Sequence, residues 1–242
     1  MQKKIDCPAK LNLTLEVVRK MRNGFHELRT VMVKLPKLKD ELKIEIFPDK
    51  KGIEIICDNP QIPTDNKNIC YKAVEDFLEK INKKVVVKIK IKKKIPVGAG
   101  LGGGSSDAAG VLKALNQYFK NHFSKKELIE MAAEIGKDVP FFFSEKEGAL
   151  IGGAGEEVLK EFDFKKGNFL LVNPGIHIST PEAYGRLSRD QWFLGDVQRD
   201  NISKKFVDNF GKGECLEKYF YNDFEISVER KYPIIKEIKQ SL

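Results

Sequence analysis

Hydrophobic and polar residues alternate along much of the first part of the chain, with the period of two that is typical of half-buried β-strands. The alternation occurs over residues 10–18 and 28–35, and again over residues 40–47 and 52–57. The turn-rich residues 48–52 separate the last two stretches, which predicts that these two strands pair as a hairpin. The chain is therefore expected to begin with a strand-rich region.

Helical spacing replaces this alternation in two later segments. Asn68 precedes a run whose apolar residues recur about every fourth position and predict a helix. Ser124 and Glu127 match a capping box at the start of a second helix, which Gly136 is expected to end. The sequence therefore predicts a protein that contains both strands and helices.

The most unusual segment is glycine-rich and covers residues 96–110, with the sequence PVGAGLGGGSSDAAG. Glycine costs about 1 kcal/mol in a helix relative to alanine, but it permits positive φ and lets a ligand approach the backbone. Ser105, Ser106 and Asp107 suit the cap and first turn of a helix over the apolar residues that follow. The segment is predicted to be a loop between a strand and a helix, where backbone N–H groups and the helix dipole favour a phosphate.

A glycine cluster alone also fits a flexible linker or a tight turn. No lysine follows these glycines, so the segment is not a Walker-type phosphate loop. A dinucleotide-binding fingerprint is not indicated either, because the sequence shows no parallel βαβ unit with an acidic residue about 20 positions further on. A different kind of phosphate loop is expected.

Composition places the chain among folded globular proteins. Its 242 residues are 41% hydrophobic and 32% charged, which excludes a disordered or fibrous chain and allows one large or two small domains. No apolar run reaches the ~18 residues of a membrane-spanning helix, and the N-terminus lacks the apolar core of a signal peptide. The four cysteines show no Cys-x-x-Cys spacing, so a zinc knuckle or disulfide framework is not indicated and a reduced, cytoplasmic location is expected. His122 and His177 have no second metal-type ligand beside them, so no protein metal site is predicted.

A net charge of +8 raises nucleic acid as a partner, since basic residues gain affinity by releasing counterions from phosphate backbones. In residues 83–94, however, Lys88, Lys90 and Lys92 alternate with apolar residues, as on the solvated face of a strand. No aromatic residues are interleaved there to stack on bases, and no recognition-helix or zinc-finger spacing occurs. A basic nucleic-acid-binding module stays open as an alternative of a different class.

Three motifs, in this order along the chain, resemble those of the GHMP family of small-molecule kinases. They are CPAKLNL at residues 7–13, the glycine-serine loop at residues 96–109 and GKDVPFF at residues 136–142. Together with the LGGGSSDAA form of the loop, GFHEL at residues 24–28 resembles the branch of the family that acts on a cytidine-diphosphate-linked methylerythritol. The resemblance implies an ATP-dependent phosphorylation of the 2-hydroxyl of that substrate, in the non-mevalonate route to isoprenoids.

The resemblance also implies an α/β (α+β) fold with two domains and an active site between them. Residues 1–157 would form the N-terminal, mixed-sheet ATP-binding domain, and residues 158–242 an α+β C-terminal domain. The family carries a third glycine-rich motif near its C-terminus, whereas this sequence ends at Leu242 before any such segment. The second domain is therefore expected to be incomplete, as a fragment or a natural shortening, with lowered activity and stability.

For the catalytic step, the resemblance assigns Asp138 as the carboxylate and Lys10 as its charged partner. A carboxylate within hydrogen-bond reach can take the proton of the attacking alcohol, and an adjacent ammonium keeps it ionised. Asn68 and Lys93 match positions near the nucleotide, although they also suit a helix cap and a surface lysine. Backbone N–H groups of about residues 100–106 are expected to hold the ATP phosphates, with Mg²⁺ bound to them. The loop residues expected to bind ATP are Pro96, Val97, Gly98, Ala99, Gly100, Leu101, Gly102, Gly103, Gly104, Ser105 and Ser106.

For the substrate, the resemblance implies that Asn12 orients the reacting hydroxyl. Phe25 would stack on the cytosine, His26 would hydrogen-bond its polar edge, and Tyr184 would close the other side of the base. Stacking contributes about 1–3 kcal/mol per base. Core packing of Phe25 and Tyr184 and a surface position for His26 are the alternatives.

The expected partner is a small molecule that carries a cytidine diphosphate, with no nucleic acid and no membrane, and the protein is expected to be a monomer or a weak homodimer. Two alternatives within the family stay open. One is a GHMP kinase that acts on a mevalonate-type, homoserine or sugar substrate, and the other is a truncated homologue that binds ATP without catalysis.

Overall fold

A computed structural model describes residues 2–48, 50–164, 168–176, 178, 180–185, 187, 201–212 and 215–242. Within these ranges, seven strands form one mixed sheet in the order β3-β4-β2-β1-β7, and β2 also pairs with β5, which pairs with β6. The strands are β1 (Gln2–Lys20), β2 (His26–Pro48), β3 (Gly52–Cys57), β4 (Val85–Lys92), β5 (Gly148–Gly152), β6 (Glu157–Phe162) and β7 (Tyr221–Asn222).

Helices cover the sheet and connect its strands. The described helices are α1 (Ile69–Lys80), α2 (Gly103–Tyr118), α3 (Lys125–Ile135), α4 (Thr180–Gly185), α5 (Ile202–Asn209), α6 (Glu225–Lys231) and α7 (Pro233–Ser241), with 3₁₀ turns at Pro140–Phe143 and Glu217–Tyr219. None of the helices in the described ranges is both long and apolar enough to cross a membrane. The mixed α/β fold expected from the sequence is confirmed.

The inner face of the sheet and helices α1 and α2 form the main core. Val87 and Ile89 on β4 are completely buried, and they pack in one cluster with Phe77 of α1 and Leu112 of α2. On the opposite face of β4 the lysines are more exposed, and Lys88 forms an ion pair with Glu54 at 2.7 Å. This is the solvated sheet face that the alternation predicts.

The predicted hairpin between residues 40–47 and 52–57 is wrong. Strand β3 pairs in parallel with β4, and β4 lies between β3 and β2. A parallel pair needs a crossover connection, which α1 supplies between β3 and β4. Alternation predicts which face of a strand is buried, but it does not identify the neighbouring strand.

Local capping signals are confirmed at two helices. Asn68 is the N-cap of α1, and its Oδ1 accepts a hydrogen bond from the Cys70 backbone N–H at 2.8 Å. Ser124 and Glu127 form the predicted capping box of α3. Gly136 follows that helix in an extended conformation, with φ at −176°.

The later part of the chain contacts the same sheet. Strand β6 begins at the predicted domain boundary and continues the sheet by pairing with β5. Helix α5 is fixed to β1 because the Glu16 carboxylate accepts hydrogen bonds from the backbone N–H groups of Ile202 and Ser203. Asp223 accepts a hydrogen bond from the Val17 N–H at 2.6 Å. The division after residue 157 stays a prediction.

Candidate active site

The buried Lys10 of strand β1 lies beside the carboxylate of Asp138, which comes just before the 3₁₀ turn at Pro140–Phe143. Lys10 Nζ lies 3.2 Å from Asp138 Oδ2 and donates a hydrogen bond to Asn12 Oδ1 at 2.6 Å. Asn12 in turn donates to Thr30 Oγ1 at 2.7 Å, so its amide is fixed from both sides. The Lys10 side chain is 7% exposed, whereas that of Asp138 is 31% exposed and open to a ligand. The three predicted residues Lys10, Asn12 and Asp138 therefore lie together.

A continuous series of short turns holds the backbone around Asp138. Val139 donates its N–H to Gly136 O at 3.1 Å, and Phe142 donates to Val139 O at 3.2 Å. Pro140 fixes φ at the first position of the 3₁₀ turn, and its phenylalanines are buried in the main core. Asp138 thus lies on a rigid support.

The glycine loop packs directly against Lys10. The Lys10 backbone N–H donates to Leu101 O at 2.9 Å. A Cβ added at Gly102 would lie 2.8 Å from Lys10 Cγ and 3.3 Å from Phe142 Cζ, and Gly102 has a φ of +66°. Only glycine satisfies both the close approach and the left-handed backbone at this position.

Gly102 is also the N-cap of α2, so the expectation that Ser105, Ser106 or Asp107 supplies the cap is wrong. The helix begins at Gly103, and no side chain in the described part of the chain caps it. Because Gly102 has a left-handed backbone conformation, the helix starts at Gly103, two residues before Ser105. The N–H groups of its first turn therefore have no side-chain acceptor at the N-cap. This exposed helix start is suited to an anion.

A cavity of about 380 Å³ opens beside the loop. Its lining contains Asn68, Lys93 and every loop residue predicted to bind ATP except Ser106. The Ser106 hydroxyl is buried and has no hydrogen-bond partner among the described residues. The lining also includes residues that sequence reasoning missed, because ordinary apolar residues carry no signal for a pocket: Ile62, Pro63, Ile69, Cys70, Ile91 and Ile95.

Lys93 is not a surface lysine. Its side chain is 6% exposed, and its Nζ forms ion pairs with Asp40 and, at 2.9 Å, with Asp107. A Cβ at Gly103 would lie 3.1 Å from both Lys93 Nζ and Asp40 Oδ2, so this charge cluster lies beneath the first turn of α2. Burial raises the pKa of the Asp107 carboxyl to about 7, against the opposing effect of Lys93.

The three aromatic side chains predicted to bind the cytidine lie in the region of Lys137 and Asp138. Phe25 is 52% exposed, which excludes the core alternative, and Lys137 Nζ lies 5.2 Å from its ring centroid. His26 stacks on Tyr184 with ring centroids 4.6 Å apart. Burial, and then the Asp138 charge, raise the pKa of Tyr184 to about 12, whereas burial and Lys20 lower the pKa of His26.

The described residues contain no group of three or more His, Cys, Asp or Glu side chains that could hold a metal ion. His122 packs edge-on against Phe123, and His177 lies outside the described residues.

Comparison with known proteins identifies the family of this chain. The sequence model of the GHMP kinases N terminal domain matches residues 68–146. A 4-diphosphocytidyl-2-C-methyl-D-erythritol kinase of Desulfotalea psychrophila is 41% identical over 98% of this chain and 77% of its own length. One of the same name from Clostridium botulinum strain Loch Maree is 38% identical over 96% of this chain and 81% of its own.

Solved structures show the same fold. A crystal structure of 4-(cytidine 5'-diphospho)-2C-methyl-D-erythritol kinase superimposes with a TM-score of 0.73 at 30% identity, over 98% of this chain and 81% of that chain. Homoserine kinase from Cytophaga hutchinsonii, at 20% identity, shares the fold with a TM-score of 0.60 over 88% of this chain and 67% of its own. The chain therefore belongs to the GHMP kinase family, among the relatives named 4-diphosphocytidyl-2-C-methyl-D-erythritol kinase.

Proposed function

We propose that this chain transfers the γ-phosphoryl group of ATP to the 2-hydroxyl of 4-diphosphocytidyl-2-C-methyl-D-erythritol. The observation that supports this most strongly is the Lys10–Asp138 pair, at 3.2 Å, held against the glycine loop. The identity of the substrate is proposed from the names of the relatives, which are 36–41% identical over nearly the whole chain. The reaction belongs to the non-mevalonate route to isoprenoids.

Asp138 acts as the general base in this proposal. Its carboxylate takes the proton of the 2-hydroxyl while the oxygen forms its bond to the γ-phosphorus, and the bond to the ADP oxygen breaks. Lys10, whose Nζ lies 3.2 Å from this carboxylate, offsets negative charge on the transferred group. Asn12, held by Lys10 and Thr30, orients the hydroxyl.

The cavity beside the loop is assigned to ATP. In this assignment, backbone N–H groups of about residues 100–105 bind the phosphates, and Asn68 and Lys93, which line the cavity, lie near the rest of the nucleotide. Lys93 supports the first turn of α2 from beneath through Asp40 and Asp107.

Mg²⁺ would be held mainly by phosphate oxygens of the nucleotide and by water, and the Ser106 hydroxyl, which has no hydrogen-bond partner among the described residues, would be available as a further ligand. When bound, the ion neutralises charge on phosphate oxygens.

The cytidine is assigned to Phe25, His26 and Tyr184. The exposed Phe25 ring offers a stacking face, and a neutral His26 presents one donor and one acceptor to the base edge. The lowered pKa of His26 keeps it neutral at ordinary pH. Tyr184 lies in the proposed second domain, so this assignment places the substrate between residues 1–157 and 158–242.

Substrate comparison tests the proposal. The chain is mixed with labelled ATP and Mg²⁺, and transfer is measured to 4-diphosphocytidyl-2-C-methyl-D-erythritol, to 2-C-methyl-D-erythritol 4-phosphate, to mevalonate and to homoserine. We expect transfer to the first substrate alone, because the others lack the cytidine that the rings recognise. Equal transfer to a substrate without cytidine would show that the kinase has a different specificity.

A further inference from the structure

The segment that carries Asp138 is held by lysines at three points. Lys10 contacts Asp138 at its start. Lys113 Nζ donates a hydrogen bond to Phe142 O at 2.6 Å, and Lys34 Nζ donates to Ser144 O, also at 2.6 Å. The last two contacts lie at the far end of the 3₁₀ turn that follows Asp138.

These contacts satisfy carbonyls that the turn leaves unpaired. The last carbonyls of a helical turn have no partner inside the turn, and a lysine amine can donate to them and offset the dipole. Lys34 lies directly opposite Lys10 in the β1–β2 register, so neighbouring residues on two strands contact the two ends of the segment. Lys113 comes from α2, the helix that begins at the glycine loop.

Both amines donate their hydrogen bonds to carbonyls of this segment, and the charges of Glu161 and Glu147 act on Lys34 without forming an ion pair within the described ranges. Lys113 likewise forms no ion pair with a carboxylate in those ranges. Lys34 Nζ lies 5.8 Å from the Phe141 ring centroid, and Lys113 Nζ lies 5.0 Å from that of Phe143. Burial, and then the charge of Lys113, lower the pKa of Lys34 to about 8, so its placement costs free energy of hydration.

We propose that Lys34 and Lys113 are positioning residues that fix Asp138 relative to Lys10 and the glycine loop. Hydrogen bonds from Val139 to Gly136, from Phe142 to Val139 and from Ser144 to Phe141 make residues 136–144 a continuous support, which transmits a displacement at one end to the other. Phe142 also contacts Gly102, because its Cζ lies 3.3 Å from the position of a Cβ there. The inference rests on the proposed function, since it gives Asp138 the role of base.

Steady-state kinetics of the full chain test this role. Lys34→Met and Lys113→Met each remove the donor while keeping an unbranched side chain, and Lys37→Met is the control, because Lys37 is exposed on the same strand as Lys34. We expect kcat to fall at least about tenfold in each variant, since a misplacement of about 1 Å can cost about 100-fold. The KM values for ATP and for the cytidine substrate should stay near those of the unmodified chain. Unchanged kcat in both variants, or a change confined to KM or melting temperature, would overturn the proposal.

Chemical rescue separates positioning from packing. Lys113 is on the exposed side of α2, so Lys113→Cys is expected to fold. Treatment with 2-bromoethylamine rebuilds an amine of lysine length and should restore kcat, whereas iodoacetamide should not. The unmodified chain receives both reagents as a control, because it has an exposed Cys215. An unmodified, untreated chain without transfer activity contradicts the proposed function itself. Normal transfer in that chain, with no rescue of Lys113→Cys by the amine, contradicts only the role of Lys113.

Discussion

The phosphate side and the cytidine side of the proposed site are built in different ways. On the phosphate side, the glycine loop is closely packed and lies over buried charges. A Cβ added at Gly102 would lie only 2.8 Å from Lys10 Cγ. On the cytidine side, rings contact each other near the surface, and Phe25 is half exposed. Chemistry that depends on position is thus placed on rigid elements, and recognition is placed on side chains.

This difference predicts how variants divide between kcat and KM. Changes on the phosphate side should lower kcat or stability, because they displace reacting groups. Changes on the cytidine side should raise the KM for the cytidine substrate with little effect on kcat or on the KM for ATP.

Among the variants that compare the two sides, the largest effect is expected for Gly102→Ala. The methyl group would contact Lys10 and Phe142, and alanine is strained at a φ of +66°. We expect kcat to fall about 100-fold, as for a misplacement of about 1 Å. Gly100→Ala is the matched control, because Gly100 has a φ of +72° but open space around a Cβ. Equal kinetics for the two variants would show that close packing is unimportant here.

Lys93→Met tests the buried charges beneath α2. Removing one partner of a buried ion pair leaves an uncompensated charge and typically costs about 3–5 kcal/mol. We expect the free energy of unfolding, measured with denaturant, to fall by about 3 kcal/mol. This is the lower end of the range, because Asp107 can take up a proton and relieve part of the uncompensated charge. Lys94→Met removes an exposed pair with Glu41 and should change stability by less than about 1 kcal/mol.

Phe25→Ala tests the cytidine side. Loss of one stacking ring should raise the KM for the cytidine substrate by about tenfold, corresponding to about 1–2 kcal/mol. The KM for ATP should not change. Phe47→Ala is the control, because Phe47 is similarly exposed at 45% on a strand end. A large fall in kcat for Phe25→Ala would contradict the division between the two sides.

A smaller effect is expected from pH. The pKa of His26 is lowered from 6.5, so the neutral ring persists at and above that pH and gains a proton only below it. The KM for the cytidine substrate should therefore be constant between pH 7 and 8 and should change at acid pH. His26→Gln, which does not titrate, should remove this change. If the change in KM at acid pH persists in His26→Gln, a group other than His26 causes it.

The sequence predicts the glycine loop and the elements around it better than it predicts strand pairing or the side chains that support the site. Glycine density, the capping box and strand alternation are local patterns, and they identified the loop, α1, α3 and the faces of β4. The pairing of β3 with β4 depends on a crossover that no local pattern specifies. Lys34 and Lys113 carried no signal, because isolated lysines on a strand and a helix resemble solvated surface residues.

The buried cluster of Asp40, Lys93 and Asp107 was missed for a similar reason. Its members are far apart in sequence, and only the folded chain brings them together. Lys93 lines the cavity assigned to ATP, as its match to a position near the nucleotide predicts, but the sequence did not reveal the two carboxylates that engage its amine beneath the loop.

The central claim is that Asp138 is the base of a phosphoryl transfer. The direct measurement is the rate of transfer of labelled γ-phosphate to 4-diphosphocytidyl-2-C-methyl-D-erythritol by the unmodified chain, by Asp138→Asn and by the exposed control Asp208→Asn. We predict that Asp138→Asn loses about 100-fold to 10,000-fold of kcat, the usual contribution of a general base, while the control keeps its rate. Transfer by Asp138→Asn at the unmodified rate would contradict this account.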